Sequence, residues 1–248
     1  MHRLLVETDL LNDESPTLPP DAARHLKVLR PKDGEEIELF DGKGKWRVYS
    51  FGNGKDSASP LLAASQTSQT PQTSQTLTLF ACVTKGSRWD WTIEKATELG
   101  VTRIVPVISD RTIVRIPKGE RAAKRERWMR IAEDAARQSD AKWLPEIREA
   151  VDFRDALPLV RETTCFIGAL TDPPSPPLAK AVGEKLEKRG EGGGEEGVGV
   201  FVGPEGDFTP EELSSLMAIA IPTSFGPTIL RAETAAIFAV SILAALCR

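Results

Sequence analysis

FVGPEGDFTPEEL, residues 201–213, runs from an apolar segment through Gly-Pro-Glu-Gly into the start of a helix. The helix start is well marked. Thr209 stands at the N-cap, Pro210 at the first helical position, and Glu212 where a capping box needs it. An apolar run, a glycine turn and a capped helix make one strand-turn-helix unit. Repetition of that unit implies a mostly parallel sheet covered on both faces. Such units recur from residue 77 onward. LTLFACV, VTRIVPVIS, TTCFIGAL and VGVFVG read as strands, and SRWDWTIEKATELG, stopped by Gly100, reads as a helix. ERAAKRERWMRIAEDAARQS is a long helix, and ETAAIFAVSILAALC a final apolar one.

In a parallel sheet, ligands sit beyond the carboxyl ends of the strands, where the GPEG turn lies. Glycine-rich turns there commonly hold phosphate, but this one carries Glu205 and Asp207 and no lysine. Neither GxxxxGK[ST] nor GxGxxG is present. The acidic side chains would repel a pyrophosphate at short range, yet not a ribose hydroxyl or a cation. Glycines let the backbone approach a flat ring and offer bare N–H and C=O groups. An adenosyl ligand with a cationic centre and no phosphate fits, and S-adenosylmethionine is one. A tight turn with no ligand accounts for the same spacing.

A second segment, SFGPTILRAETAAIFAV, enters the last helix through Arg231, Glu233 and Thr234. Glu233 and Thr234 suit helix capping. Arg231 suits it less, because its planar five-donor head is made for an oxyanion or a base edge.

Residues 1–50 read as short strands and turns, with Asp-Gly pairs at 33–34 and 41–42 beside EIELF and WRVYSF. The expectation is a small β-barrel. Residues 53–76 carry low-complexity TSQT units and read as a disordered loop or linker. Residues 183–197 read as a short helix end followed by a flexible loop. The domains expected are therefore 1–76 and 77–248.

Over the whole chain of 248 residues, 40% are apolar and 27% charged, the balance of an ordinary globular protein. The start, MHRLLVETDL, does not read as a signal peptide, and the largely apolar 14-residue segment 234–247 falls short of a membrane span. That segment reads as a buried or subunit-interface helix. Three scattered cysteines and two histidines fit a reducing, cytoplasmic compartment and no metal site. The net charge of -4 hides a basic stretch, 111–130, with eight Arg or Lys, two Glu, and Trp128 among them. It reads either as a phosphate-binding patch or as a solvated helix face.

Together, VGPEGDFTPEEL, FGPTILRAETAA, KGSRWDWTIEKATELGVTRIVPVISDRT and HLKVLRPKDGEEIELFDGKG resemble the RsmE-type 16S ribosomal RNA (uracil N3)-methyltransferases of the knotted SPOUT superfamily. Nearly the whole chain takes part. The resemblance implies an α/β fold: a PUA-like N-terminal barrel that binds RNA, and a SPOUT domain with a deep trefoil knot. It also implies a homodimer with no membrane attachment. The cofactor implied is S-adenosylmethionine, held by the turn at Leu170 and Thr171, the loop Val202, Gly203, Pro204, Glu205, Gly206, and the segment Phe225, Gly226, Ile229, Leu230, Arg231. The reaction implied is methylation of N3 of a uridine in small-subunit ribosomal RNA, free or in an assembled particle. Arg231 is the expected catalytic residue, stabilising negative charge on the uracil oxygens. Arg3, His25, Arg30, Lys85 and Arg111 are expected RNA contacts, with a solvated surface charge the alternative for each.

Several positions depart from the family pattern. Asp207 replaces a common glycine, Thr228 a common arginine and Ala232 a common threonine, and Gln138-Ser139-Asp140-Ala141 stands where the family has Gln-Ser/Cys-Gly-Arg. The last change removes an expected arginine. A noncatalytic RNA-binding or assembly protein on the same scaffold is the competing class, and a nucleotide- or NAD-dependent enzyme a second.

Overall fold

The computed structural model describes residues 1–52, 61–62, 67–69, 76–169, 173–189 and 197–247. Contacts divide the chain into two units, 1–72 with 136–144, and 73–135 with 145–248. Residues 136–144, expected from the sequence to belong with the second domain, pack in the first unit.

The first unit opens with β1 (His2–Leu5) and helix α1 (Pro20–Leu29), then the hairpin β2 (Glu36–Phe40) and β3 (Lys45–Phe51). The hairpin is antiparallel with Phe40 opposite Trp46. Its turn is closed by the Asp41 carboxylate, which accepts from the backbone N–H groups of Lys43 and Lys45 at 2.8 and 3.0 Å. Strand β1 pairs parallel with β2. The short strands β4 (Leu61–Leu62) and β5 (Thr67–Gln69) both pair with β3. These two pieces correct the reading of 53–76 as wholly unstructured. Leu61 is fully buried, so that stretch carries more apolar drive than its composition suggests. The remainder of it lies outside the described residues. A mixed unit replaces the expected run of short strands and turns over 1–50, since α1 stands within it.

A buried ionic cluster holds 136–144 in this unit. Arg3 donates from Nε to Glu38 at 2.8 Å, from Nη1 to the Ala136 carbonyl at 2.5 Å and from Nη2 to the Ala141 carbonyl at 3.0 Å. Lys142 donates to both Glu38 oxygens at 2.6 Å. Arg3 lies over the Phe40 ring and Lys142 over Trp46. Arg3 is therefore buried and committed, which corrects its expected role as an RNA contact.

In the second unit, β6 (Leu77–Cys82) leads to α2 (Ser87–Glu98), β7 (Arg103–Ile108) and α3 (Arg121–Ser139), whose residues from Ala136 on count with the first unit. Next come β8 (Glu146–Ile147), β9 (Val151–Asp152), α4 (Phe153–Arg161), β10 (Thr164–Gly168) and α5 (Leu178–Arg189). The last elements are β11 (Val198–Val202), α6 (Pro210–Met217), β12 (Ile221–Thr223) and α7 (Ala232–Leu246). The order is β12-β10-β11-β6-β7-β8, with β9 also on β7, and every pairing is parallel. Alternation along β6 sends Leu77, Leu79 and Ala81 to one face and Phe80 and Cys82 to the other. The first face packs against α2, α3, α5 and α7, and the second against α4 and α6. Phe80, Phe153, Phe201 and Phe208 form a ring cluster on the second face. No helix among the described residues is long and apolar enough to cross a membrane.

Replacing Glu38 by Gln removes the buried carboxylate and leaves Arg3 and Lys142 with the exposed Asp140 as their charged partner among the described residues. The expected loss is about 3 kcal/mol in urea unfolding followed by tryptophan fluorescence. A loss below about 1 kcal/mol would show the cluster to be peripheral to stability.

Candidate active site

Because the sheet is parallel, the segments after β6, β7, β10, β11 and β12 all leave from its carboxyl edge. Strand β11 lies between β10 and β6, so the chain's direction of travel across the sheet reverses there. That is where an open α/β sheet forms its crevice.

The GPEG loop is held mainly by its neighbours. Asp207 N–H donates to the Pro204 carbonyl at 3.0 Å. Arg111 donates to the carbonyls of Gly206 and Phe208 at 3.1 and 3.2 Å. Glu212 completes the expected capping box with Thr209, and its other oxygen accepts from Asp110 N–H at 2.9 Å. Gly203 has no room for a side chain, because a Cβ there would lie 2.9 Å from the buried Phe208 ring. Asp207 adopts φ 60, and its carboxylate accepts from Phe208 N–H at 2.8 Å. Asp140, the other aspartate standing where the family has glycine, also has φ 60. Aspartate tolerates that left-handed region better than most residues, and glycine fits it without strain.

The acidic residues of the loop do not form an open anionic cup. Glu205 pairs with Arg88 at 3.4 Å, and Asp207 is bonded to its own turn. What the loop presents is backbone.

Beyond β12, Phe225 lies over the end of β10. A Cβ on Gly168 would meet its ring at 2.6 Å. Gly226 takes φ 120, and its N–H donates to Ser224 Oγ at 3.2 Å. Ile229 is 88% exposed, an unusual state for so large an apolar side chain. Leu230 is half-buried. Arg231 is the N-cap residue of α7, exposed, with no side-chain partner among the described residues. Glu233 does not cap α7. Leu170 and Thr171 lie outside the described residues.

The second unit therefore brings Val202 to Gly206, Phe225 to Arg231, Lys85 and Arg111 to one edge. Lys85 is exposed, whereas Arg111 is exposed but spends a donor on the loop. His25 is exposed on α1, and Arg30 is its left-handed cap in the first unit. The basic stretch 111–130 is largely committed. Arg115, Arg121 and Arg125 bond to backbone carbonyls. Arg121 also pairs with Asp152, and Arg127 with Asp90. Trp128 is buried edge-on against Trp89, so it is no part of a surface patch.

Cys82 ends β6 at this edge. Burial pushes its thiol up to about 12, with partial relief from Ser109 and Thr112, so no nucleophilic thiolate forms at neutral pH. Burial also raises Cys165. Among the described residues no His, Cys, Asp and Glu group is arranged to hold a metal ion.

Two residues of the edge went unread in the sequence, Gly168 and Arg88. Arg88 carried a usable signal, because a cation in the first turn of a helix opposes the helix dipole and needs a specific anionic partner.

A family model described as an RNA methyltransferase domain matches residues 71–244, and an RNA methyltransferase PUA domain matches 18–56. The ribosomal RNA small subunit methyltransferase E of Synechocystis is 30% identical over 99% of this chain and 78% of its own length. The chain belongs to this family. The Bacillus subtilis member is 26% identical over 98% of the chain and 96% of its own length. The Neisseria gonorrhoeae member, solved bound to S-adenosyl methionine, superposes with a TM-score of 0.80 at 29% identity, covering 99% of this chain and 98% of that one. Membership makes the chain an RNA methyltransferase and its carboxyl edge the candidate active site.

The left-handed turn gives a direct check on the loop. Asp207→Val is expected to lower stability by about 1–2 kcal/mol, and Asp207→Gly to change it by no more than about 0.5 kcal/mol, in thermal unfolding. Equal losses in both would shift the explanation from φ to the carboxylate bond.

Proposed function

We propose that this chain transfers a methyl group from S-adenosylmethionine to N3 of a uridine in small-subunit ribosomal RNA. The observation that carries this reading is that bare backbone at Gly203 and Gly226, the apolar Phe225 and Ile229, and an Arg231 guanidinium without a partner among the described residues all follow carboxyl ends of one parallel sheet. The residues fit the cofactor. A flat adenine suits those apolar side chains and the glycine backbone, which can approach it closely. Nothing in the loop is arranged for phosphate, since Arg88 is paired with Glu205 and Arg111 with carbonyls. The gonococcal relative holds S-adenosyl methionine in its own structure.

Bound S-adenosylmethionine supplies a methyl group on a positively charged sulfur, already a good leaving group. The chain's own task is then positioning, proton removal and charge stabilisation. The N3 proton leaves before or during attack, and negative charge spreads onto the uracil oxygens. Arg231 carries the free cation placed to meet that charge. Lys85 and Arg30 are exposed cations suited to RNA phosphates, His25 adds an exposed imidazole, and Arg111 has remaining donor capacity. A uridine in folded RNA must be unstacked to be reached.

The same reading includes a closed barrel in the first unit, a trefoil knot in the second, action in the cytoplasm, and a homodimer. Exposed Trp91 on α2 and Phe238 and Leu246 on α7 support the dimer, because they leave an apolar face at the last helix.

Calorimetric titration with S-adenosylhomocysteine is expected to give saturable binding, and NAD none. Arg231→Ala is expected to lower methylation of small-subunit RNA about 100-fold while leaving that affinity within about threefold. Equal losses in both would make Arg231 a cofactor ligand only.

A further inference from the structure

Arg88 sits in the first turn of α2 between two carboxylates from different motifs. Its guanidinium is 3.4 Å from Glu205 in the GPEG loop and 3.9 Å from Glu233 in the first turn of α7. Nearly half of the Arg88 side chain is exposed, whereas Glu233 is largely covered. The far oxygen of Glu233 is fully buried and accepts no hydrogen bond. It lines a narrow cleft with Thr84 and Trp89. Those two residues are 3% and 2% exposed, and the Thr84 hydroxyl and Trp89 Nε1 are also without partners. Three unpaired polar groups in one cleft are unusual for a folded protein.

The arrangement argues against Glu233 as the base that takes the N3 proton, because its free oxygen faces the interior. It argues for a charge balance. Glu233 is a mostly desolvated carboxylate whose one cationic partner among the described residues is Arg88. The N-terminal dipole of α7 helps to hold it. Without Arg88, a buried charge would stand uncompensated two residues after Arg231, and the start of α7 would shift to expose it. Arg88 also grips Glu205, so both cofactor segments respond to one side chain. A displacement of 1 Å in such a site is enough to change rates about 100-fold.

We propose that Arg88 is a positioning residue that clamps the GPEG loop to the start of α7 through Glu205 and Glu233, setting the width of the cofactor pocket and the placement of Arg231. The inference rests on the methyltransferase reading above.

The test compares Arg88→Met, Arg88→Lys and the double variant Arg88→Met/Glu233→Gln with the wild-type chain. S-adenosylhomocysteine affinity is read by calorimetry, thermal unfolding confirms folding, and KM and kcat are measured with small-subunit RNA. Arg88→Met is expected to weaken S-adenosylhomocysteine binding about tenfold, and Arg88→Lys to recover it to within about threefold. The double variant is expected to bind better than Arg88→Met alone, since removing the stranded charge relieves the pocket. Unchanged S-adenosylhomocysteine affinity in a folded Arg88→Met variant overturns the proposal. So does a rise confined to the KM for RNA, which would make Arg88 a phosphate contact. If Arg88→Met does not fold, Glu205→Gln severs the loop arm alone and is expected to weaken binding; unchanged affinity there overturns the clamp. Absence of S-adenosylhomocysteine binding by the wild-type chain overturns the function reading, and this inference with it.

Discussion

A sheet whose strands all run one way has all its carboxyl ends on one side. That constraint does the most to make a site in this protein. Segments far apart in the chain, after Cys82, Ile108, Gly168, Val202 and Thr223, leave the sheet along one edge. The order β10-β11-β6 then sets the GPEG loop between its neighbours. Hydrogen bonds finish the assembly. Arg111 and Glu212 tie the segment after β7 to the one after β11, and the Ser224 carbonyl and N–H join the last loop to the start of α5.

Charge at this edge is used differently from what a bare sequence suggests. Glu205 and Asp207 look like an invitation to a cation, yet one is paired with Arg88 and the other bonded to its own turn. The guanidinium groups beside the loop are already paired, Arg88 with Glu205 and Arg111 with carbonyls. Ile229 stands exposed beyond them. Both Asp207 and Asp140 occupy left-handed positions, where glycine is equally at home.

Much of the second unit is legible in the sequence because its signals are local and agree. Leu77–Cys82 is apolar but for Thr78, Gly100 with φ 71 ends α2, and Thr209 with Glu212 caps α6. Legibility fails where packing overrides pattern. Residues 1–50 read as short strands and turns, but Pro20–Leu29 is a helix whose one buried residue is Leu26, with Val28 exposed. Helix α4 is masked by Pro158 within it, which normally ends a helix. Arg3 and Lys142 meet at Glu38 across a separation that no spacing rule reaches. The site shows the same division. The loops and Arg231 are visible as motifs, whereas the Arg88 contacts exist only in three dimensions.

The central claim concerns one atom of one base. Small ribosomal subunits lacking the modification would be incubated with this protein and S-adenosylmethionine carrying a labelled methyl group, and the RNA digested to nucleosides for mass spectrometry. The account predicts label in N3-methyluridine, at a single position and lost with Arg231→Ala. Label in a different nucleoside would contradict the proposed reaction while leaving the methyltransferase assignment intact. No label from a folded protein that binds S-adenosylhomocysteine, on either free RNA or assembled subunits, would contradict small-subunit RNA as the substrate.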